Sequence, residues 1–220
     1  MKMMRFVVTA GPTREYLDPV RFLSNPSTGK MGFNVARAAA EKGYEVTLVA
    51  GPVALRTPKG VKRVDVVSAR DMLSAVEAEV ARGGEVTVIG VAAVADWRPA
   101  ECAAGKHKKG AMDGTLKLVP NPDILKTLDS SRAEGLRLVG FAAETNDLER
   151  EAARKCREKG LEFIVANDVT EPGSGFGSDT NRVVFIHKDG TITRLGLMSK
   201  LAVARRIIRE CTAYAAGRGL

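Results

Sequence analysis

The sequence predicts an α/β fold, a Rossmann-like three-layer α/β/α arrangement on a mostly parallel sheet, with a flexible flap and a C-terminal β-hairpin. Three observations lead there. Short apolar runs rich in β-branched residues alternate with helical stretches along most of the chain, the order that a parallel sheet with helices on both faces requires. The first such run, RFVVTA, reads as a buried strand stopped by a Gly-Pro turn. Polar loops follow several of these runs, where the ligands of open parallel sheets bind.

The elements follow in order. Residues 5–10 are the first strand. Met31, Phe33, Val35, Ala36, Ala39 and Ala40 give residues 29–42 a helical rhythm, and Gly43 stops it. YEVTLVAGP and VKRVDVVSA are the next strands, ARDMLSAVEAEVARG is a helix, and EVTVIGVAAVAD is the fourth strand. Residues 99–118 break the pattern: they are polar, punctuated by Gly and dense in Lys, and read as the flap, ending in a short strand. NPDILKTLDSSR opens a helix capped by Asn121 or Asp123. LRLVGFAAET, the charged helix DLEREAARKCREKG and the strand LEFIVANDV follow. NRVVFIHKDGTITRL reads as a hairpin, with Asp189-Gly190 as a two-residue turn. A basic amphipathic helix over about 198–213 closes the chain. No repeat or linker interrupts this series, so 1–220 reads as a single Rossmann-like domain with its flap at about 100–118.

Composition narrows the function. Hydrophobic residues make up 45% of the chain, enough for a normal core. A net charge of +8 suits anionic partners, whereas 5% aromatic residues argue against a base-stacking surface for single-stranded nucleic acid. Cys102, Cys156 and Cys211 have no C-x-x-C spacing, and with no signal peptide they read as reduced thiols of a cytoplasmic protein. His107 and His187 stand outside any ligand motif, so no structural zinc site is expected. No apolar run reaches the ~18 residues of a membrane span.

The stretch SNPSTGKMG, residues 24–32, carries the strongest local signal. It is not a P-loop: Ser24 stands where the first Gly belongs, and Met31 follows the Lys. Ser27, Thr28 and Gly29 precede a helix, so an anion bound there gains unpaired N–H groups and the helix dipole. The alternative is an ordinary cap by Ser27 or Thr28. Lys106, Lys108 and Lys109 read as a lid that closes over a polyphosphate, or as a solvated charge run. Lys155 and Lys159 share one helix face, with Glu151 and Glu158 as possible partners.

Together, TAGPTREYLDPVRFLSNPSTGKMG, AAVADWRP, GKHKK, NPDIL, GFAAETN and ANDV…GFGSDTN resemble the phosphopantothenoylcysteine synthetase family, in the same order from about residue 5 to 210. The resemblance implies a cytoplasmic ligase of coenzyme A biosynthesis, homodimeric and independent of nucleic acid and membrane. Its reaction activates 4′-phosphopantothenate with CTP and magnesium, releases pyrophosphate, then joins the acyl group to L-cysteine and releases CMP. In many bacteria this ligase is fused behind a flavin-dependent decarboxylase; the present chain starts at the ligase's first strand, so neither FMN nor decarboxylation is expected of it. By motif, Asn25 and Lys106 are the catalytic residues. Gly90, Val91, Ala92, Asp96, Lys106, Pro122, Asp123, Ile124, Leu125, Phe141, Lys155 and Lys159 match CTP contacts, with Asp96 the candidate metal ligand. Arg21, Asn25, Ser27, Thr28, Gly29 and Lys30 form the acyl and phosphate loop. Pro120 stands where some members carry a lysine, so that contact is missing here.

Two other classes fit the same fold. A nicotinamide oxidoreductase requires a Gly-rich first turn and an acid ending the second strand, whereas the second strand ends Val49-Ala50-Gly51-Pro52. A non-catalytic basic binding module for nucleotides or nucleic acid has no need of Asp96, Asp123 and Glu144 at the sheet edge.

Overall fold

The structure is a computed structural model describing residues 4–106, 114–144 and 147–215. Its elements are β1 (Arg5–Ala10), β2 (Arg14–Tyr16), β3 (Phe22–Ser24), α1 (Lys30–Glu41), β4 (Glu45–Ala50), β5 (Val61–Asp65), α2 (Ala69–Val80), β6 (Val86–Gly90), β7 (Trp97–Pro99), β8 (Leu118–Pro120), α3 (Ile124–Ser130), β9 (Leu136–Glu144), α4 (Leu148–Glu158), β10 (Phe163–Asp168), β11 (Thr180–Asn181), β12 (Val184–His187), β13 (Ile192–Arg194), β14 (Met198–Ser199) and α5 (Lys200–Ala215). Eight strands form one sheet in the order β13-β12-β10-β9-β6-β1-β4-β5. The six from β10 to β5 are parallel, and the β12–β13 hairpin adds antiparallel to β10. This is the expected three-layer fold.

Side-chain alternation in the strands separates two cores. Phe6, Val8 and Ala10 of β1 face α1 and α5, where Val35, Ala36, Ala39, Val203 and Ile207 are fully buried. Val7 points to the other face, toward Met72 and Val76 of α2, Leu125 and Leu128 of α3, and Cys156 of α4. Each fully buried large aliphatic side chain stabilises the fold by about 1.5–3 kcal/mol relative to exposure. Small residues let α1 lie close to the sheet: a Cβ on Gly32 would come within 2.5 Å of the Ala10 Cβ.

Four local expectations need correction. The fourth strand ends at Gly90 instead of running to Asp96, because the next two N–H groups turn onto a side chain of β1. Residues 14–24, where the sequence gives no regular element, form the β2–β3 ribbon, held by the register Arg14↔Ser24 to Tyr16↔Phe22. The C-terminal hairpin has a three-residue loop: Gly190 N–H bonds the His187 carbonyl, His187 N–H bonds the Thr191 carbonyl, and Gly190 has φ 89. That is a turn closed by a left-handed glycine, which lengthens the loop by one residue. Finally, α1 begins at Gly29, with φ 78 and no side-chain cap, so neither Ser27 nor Thr28 caps it. Asp123, not Asn121, caps α3, by accepting from Lys126 N–H. Residues 107–113 of the flap, with Lys108 and Lys109, lie outside the described residues; the flap's closing strand is β8, paired antiparallel with β7.

Gly51 joins the first loop to the end of β4. A Cβ there would lie 1.8 Å from the Pro12 carbonyl oxygen, whereas one at Gly105 would meet nothing within 4 Å. Gly51→Ala is therefore expected to cost about 2–3 kcal/mol by overpacking, a fall in Tm of roughly 4–12 °C for a chain of this size. Gly105→Ala is expected to leave Tm unchanged. Equal melting temperatures for the two variants would contradict this packing.

Candidate functional site

The sheet reverses its order between β1 and β6. From β1 the chain passes through α1 to β4 and β5 on one side, then crosses to β6 on the other. Beyond the carboxyl ends of strands at such a reversal no helix covers the sheet, and ligands bind there. A cavity of about 420 Å³ opens at this position, walled by the ends of β1, β6, β9 and β10, the α1 N-terminus and the α3 entry turn.

Its central wall is the segment 91–96. Thr9, fully buried at the end of β1, has its Oγ1 accept hydrogen bonds from Val91 N and Ala92 N, both at 3.1 Å. Asn25 Nδ2 donates to the Ala93 and Val94 carbonyls at 3.1 and 3.2 Å. Thr13 Oγ1 accepts from Ala95 N, and Asn121 Nδ2 donates to the Ala95 carbonyl. The segment is thus held by side chains from three neighbouring loops and from β1. Below it Leu125 packs on Gly90, where a Cβ would come within 2.8 Å of Leu125 Cδ1.

One end of the cavity is the start of α1. Ser27 Oγ accepts from Gly29 N at 3.3 Å, Thr28 Oγ1 donates to the Phe176 carbonyl at 2.7 Å, and Lys30 Nζ donates to the Gly177 carbonyl and to Asp179. The Lys30 hydrogen bond holds the Asp179 carboxyl below its ordinary value. Thr28 and Lys30 reach outward to the 175–179 loop and Ser27 accepts from Gly29 N, so the first turn of α1 carries no side-chain cap. Its unpaired N–H groups are an electropositive feature of the wall.

The other end carries the two helix lysines. Lys155 pairs with Glu144 at 2.5 Å and Lys159 with Asp123 at 2.8 Å. The helix's own acids, Glu151 and Glu158, pair instead with Arg154. Both lysines therefore link the C-terminal part of α4 to the end of β9 and to the turn before α3, and line the cavity together with Phe141.

Asn25, Ser27, Thr28, Gly29, Lys30, Gly90, Val91, Ala92, Asp96, Pro122, Asp123, Ile124, Leu125, Phe141, Lys155 and Lys159 all line this one cavity. Arg21 does not; it forms a two-point contact with the buried carboxylate of Asp18, at 3.0 and 2.6 Å. Lys106 is exposed, outside the lining, at the edge of the described flap. Thr9, Asn121, Asn167, Asn181 and Lys200 also line it; Thr9 and Asn167 fall in the polar strand-end loops that the sequence marks for a ligand, whereas sequence reasoning gave Asn121, Asn181 and Lys200 no site role. A hydroxyl in an apolar strand end was a usable signal for Thr9. Lys200 had none, since it reads as one more cation of a basic helix. It is only 4% exposed, and its ammonium donates to the Gly175 and Phe176 carbonyls at 2.8 and 3.3 Å. Burial, reinforced by Lys30, pushes that ammonium below the ordinary lysine value, and Asp179 opposes the shift.

Among the described residues no group of three His, Cys, Asp or Glu is placed to hold a metal ion. Magnesium is commonly held by one or two carboxylates plus substrate phosphates, and the Asp96 carboxylate in the wall fits that mode, whereas Asp123, also in the wall, is paired with Lys159. No helix of the described residues is long and apolar enough to cross a membrane.

An open α/β sheet with a polar cavity at its order reversal, an uncapped helix N-terminus and four lysines in the wall defines an α/β protein with a cavity suited to an anionic ligand. Residues 1–214 match the DNA/pantothenate metabolism flavoprotein C-terminal domain, and the chain belongs to that family. It is 50% identical over 193 residues to the coenzyme A biosynthesis bifunctional protein CoaBC of Escherichia coli K12, covering 86% of this chain and 47% of that protein. To the CoaBC of Bacillus subtilis it is 48% identical over 214 residues, 97% of this chain and 52% of the relative. The chain thus spans about half the length of these curated relatives. A crystal structure of the C-terminal domain of CoaBC superimposes with a TM-score of 0.82 at 42% identity, covering 99% of this chain and 100% of that one.

Proposed function

We propose that this chain is a phosphopantothenate–cysteine ligase, acting as one nucleotide-binding unit in the cytoplasm. The observation that carries the reading is the convergence on one cavity of the SNPSTGK loop, the 90–96 segment, the Asn-Pro-Asp turn and the α4 lysines. These motifs lie far apart in sequence, and they belong to a family whose CoaBC members are named for coenzyme A biosynthesis.

In the first step a carboxylate oxygen of 4′-phosphopantothenate attacks the α-phosphorus of CTP. The bond to the bridging oxygen breaks and pyrophosphate leaves. In the second step the amine of L-cysteine attacks the acyl carbon, the acyl–oxygen bond breaks, CMP leaves, and the amine sheds a proton. Both nucleophiles belong to substrates, so the protein's task is positioning and charge neutralisation. Backbone groups of Gly90, Val91 and Ala92 face Pro122, Asp123, Ile124 and Leu125 across the base, with Phe141, Lys155 and Lys159 beside it. Asp96 holds the ribose or the magnesium ion, which offsets phosphate charge when bound. Ser27, Thr28, Gly29 and Lys30 receive phosphoryl oxygens at the uncapped α1. Asn25, its Nδ2 donors engaged by the 93–94 carbonyls, fixes the wall against which the acyl group lies. Lys106 arrives from the flap when nucleotide is bound. Arg21, held by Asp18 off the cavity wall, has no part in this set.

The test is pyrophosphate release with CTP, 4′-phosphopantothenate and L-cysteine, each omitted in turn. Release is expected with the first two and amide product only with all three. Asn25→Asp replaces the amide that donates to the 93–94 carbonyls by a carboxylate that repels both them and phosphate, and product formation is expected to fall at least about 100-fold, the scale of losing one preorganised element of a site. Absence of pyrophosphate release, or full turnover by Asn25→Asp, would refute the assignment.

We also propose that the chain is a homodimer. The edge strand β13 exposes Ile192, and the β2–β3 and β7–β8 ribbons expose Phe22, Trp97 and Leu118, and such surfaces are hazards unless covered. Light scattering at micromolar concentration is expected to give twice the 23.5 kDa chain mass; a particle of one chain mass would contradict it.

A further inference from the structure

Lys200 is the one lysine of the cavity wall that forms no ion pair with a described carboxylate. Lys30, Lys155 and Lys159 are paired with Asp179, Glu144 and Asp123. Lys200 is also the most buried of the four, at the first residue of α5, and its only acceptors among the described residues are the Gly175 and Phe176 carbonyls. Removing an ammonium from water without a counter-charge is costly, and neutral carbonyls offset only part of that cost. The Phe176 carbonyl is shared with Thr28 Oγ1, and the next carbonyl, Gly177, takes Lys30. Two ammonium groups and a hydroxyl are therefore gathered on three successive carbonyls beside the uncapped start of α1.

We infer that Lys200 is a phosphate-binding cation: its ammonium turns from the 175–176 carbonyls to an oxygen of the nucleotide's polyphosphate tail when that tail enters the cavity beside Lys30. This rests on the nucleotide reading above and adds a residue to it. A multiply charged tail suits this end better than a phosphomonoester, because Lys30, Lys200 and the α1 amides present several donors together. The buried ammonium then gains the counter-charge that its own fold withholds, so its desolvation favours the ligand-bound state.

The test is calorimetric binding to the whole chain of three probes taken separately: inorganic pyrophosphate, 4′-phosphopantothenate and cytidine. A charge-assisted hydrogen bond corresponds to about a 10- to 100-fold change in affinity. Lys200→Met is expected to lose that factor for pyrophosphate while binding cytidine and 4′-phosphopantothenate within twofold of the parent. Pyrophosphate affinity within twofold of the parent would overturn the inference. So would parallel losses for pyrophosphate and cytidine, which mark Lys200 as a structural pin of the 173–178 loop. Should Lys200→Met not fold, the parent chain with ¹³C-labelled lysine decides: the Lys200 ε-carbon resonance, assigned by its loss in Lys200→Arg, shifts on adding pyrophosphate if the inference holds and stays fixed if it fails. None of these measurements includes L-cysteine or turnover. Lys200-dependent pyrophosphate binding without any ligation would therefore overturn the ligase reading and leave this site standing.

Discussion

The site depends on how the chain leaves β6. A parallel sheet that reverses its order must release two adjacent strands in different directions, and the peptide groups beyond their ends lose their ladder partners. Here the segment 91–96 recovers them from side chains: Thr9 accepts two N–H groups, Asn25 donates to two carbonyls, and Thr13 and Asn121 hold Ala95. The Ala93 N–H also bonds the Gly11 carbonyl. Each bond contributes about 1 kcal/mol net. Their larger effect is to fix a backbone wall before any ligand arrives, and fixed dipoles need no reorganisation during a reaction. Asn25 ties the SNPSTGK loop to this wall, so the two halves of the cavity are held in one frame.

Electrostatics divides the cavity between two kinds of lysine. Lys155 and Lys159 are engaged with Glu144 and Asp123, which places their charge at defined points on the wall and limits their reach. Half-buried ion pairs of this kind give orientation more than stability. Lys30 and Lys200 face the 175–179 loop, and three of their four hydrogen bonds go to carbonyls. The side of the cavity nearest α1 therefore keeps more unneutralised positive charge, which suits the end of a ligand where negative charge is concentrated.

The strand and helix order was legible because its cause is local. Apolar β-branched runs and helical periodicity recur in the sequence, and the sheet follows them through β1, β4, β5, β6, β9 and β10. Most of the cavity lining was legible too, but through motifs whose residues meet only in three dimensions. What sequence could not show depended on tertiary partners. The end of β6 at Gly90 is set by Thr9, 81 residues earlier in the chain. The extra residue in the β12–β13 turn follows from strand register, which Asp189-Gly190 alone does not fix. Lys155 and Lys159 pair with acids at the end of β9 and at the α3 cap instead of those at helical spacing. Lys200 shows its character only through burial.

The central claim is that this cavity turns a carboxylate into an acyl nucleotide. The most direct measurement follows oxygen. With 4′-phosphopantothenate labelled by ¹⁸O in its carboxylate, attack on the α-phosphorus carries one labelled oxygen onto that phosphorus, and aminolysis leaves it there. Mass spectrometry of the products is expected to find one ¹⁸O atom in CMP and none in pyrophosphate. Label in inorganic phosphate, with CDP as the nucleotide product, would contradict the account.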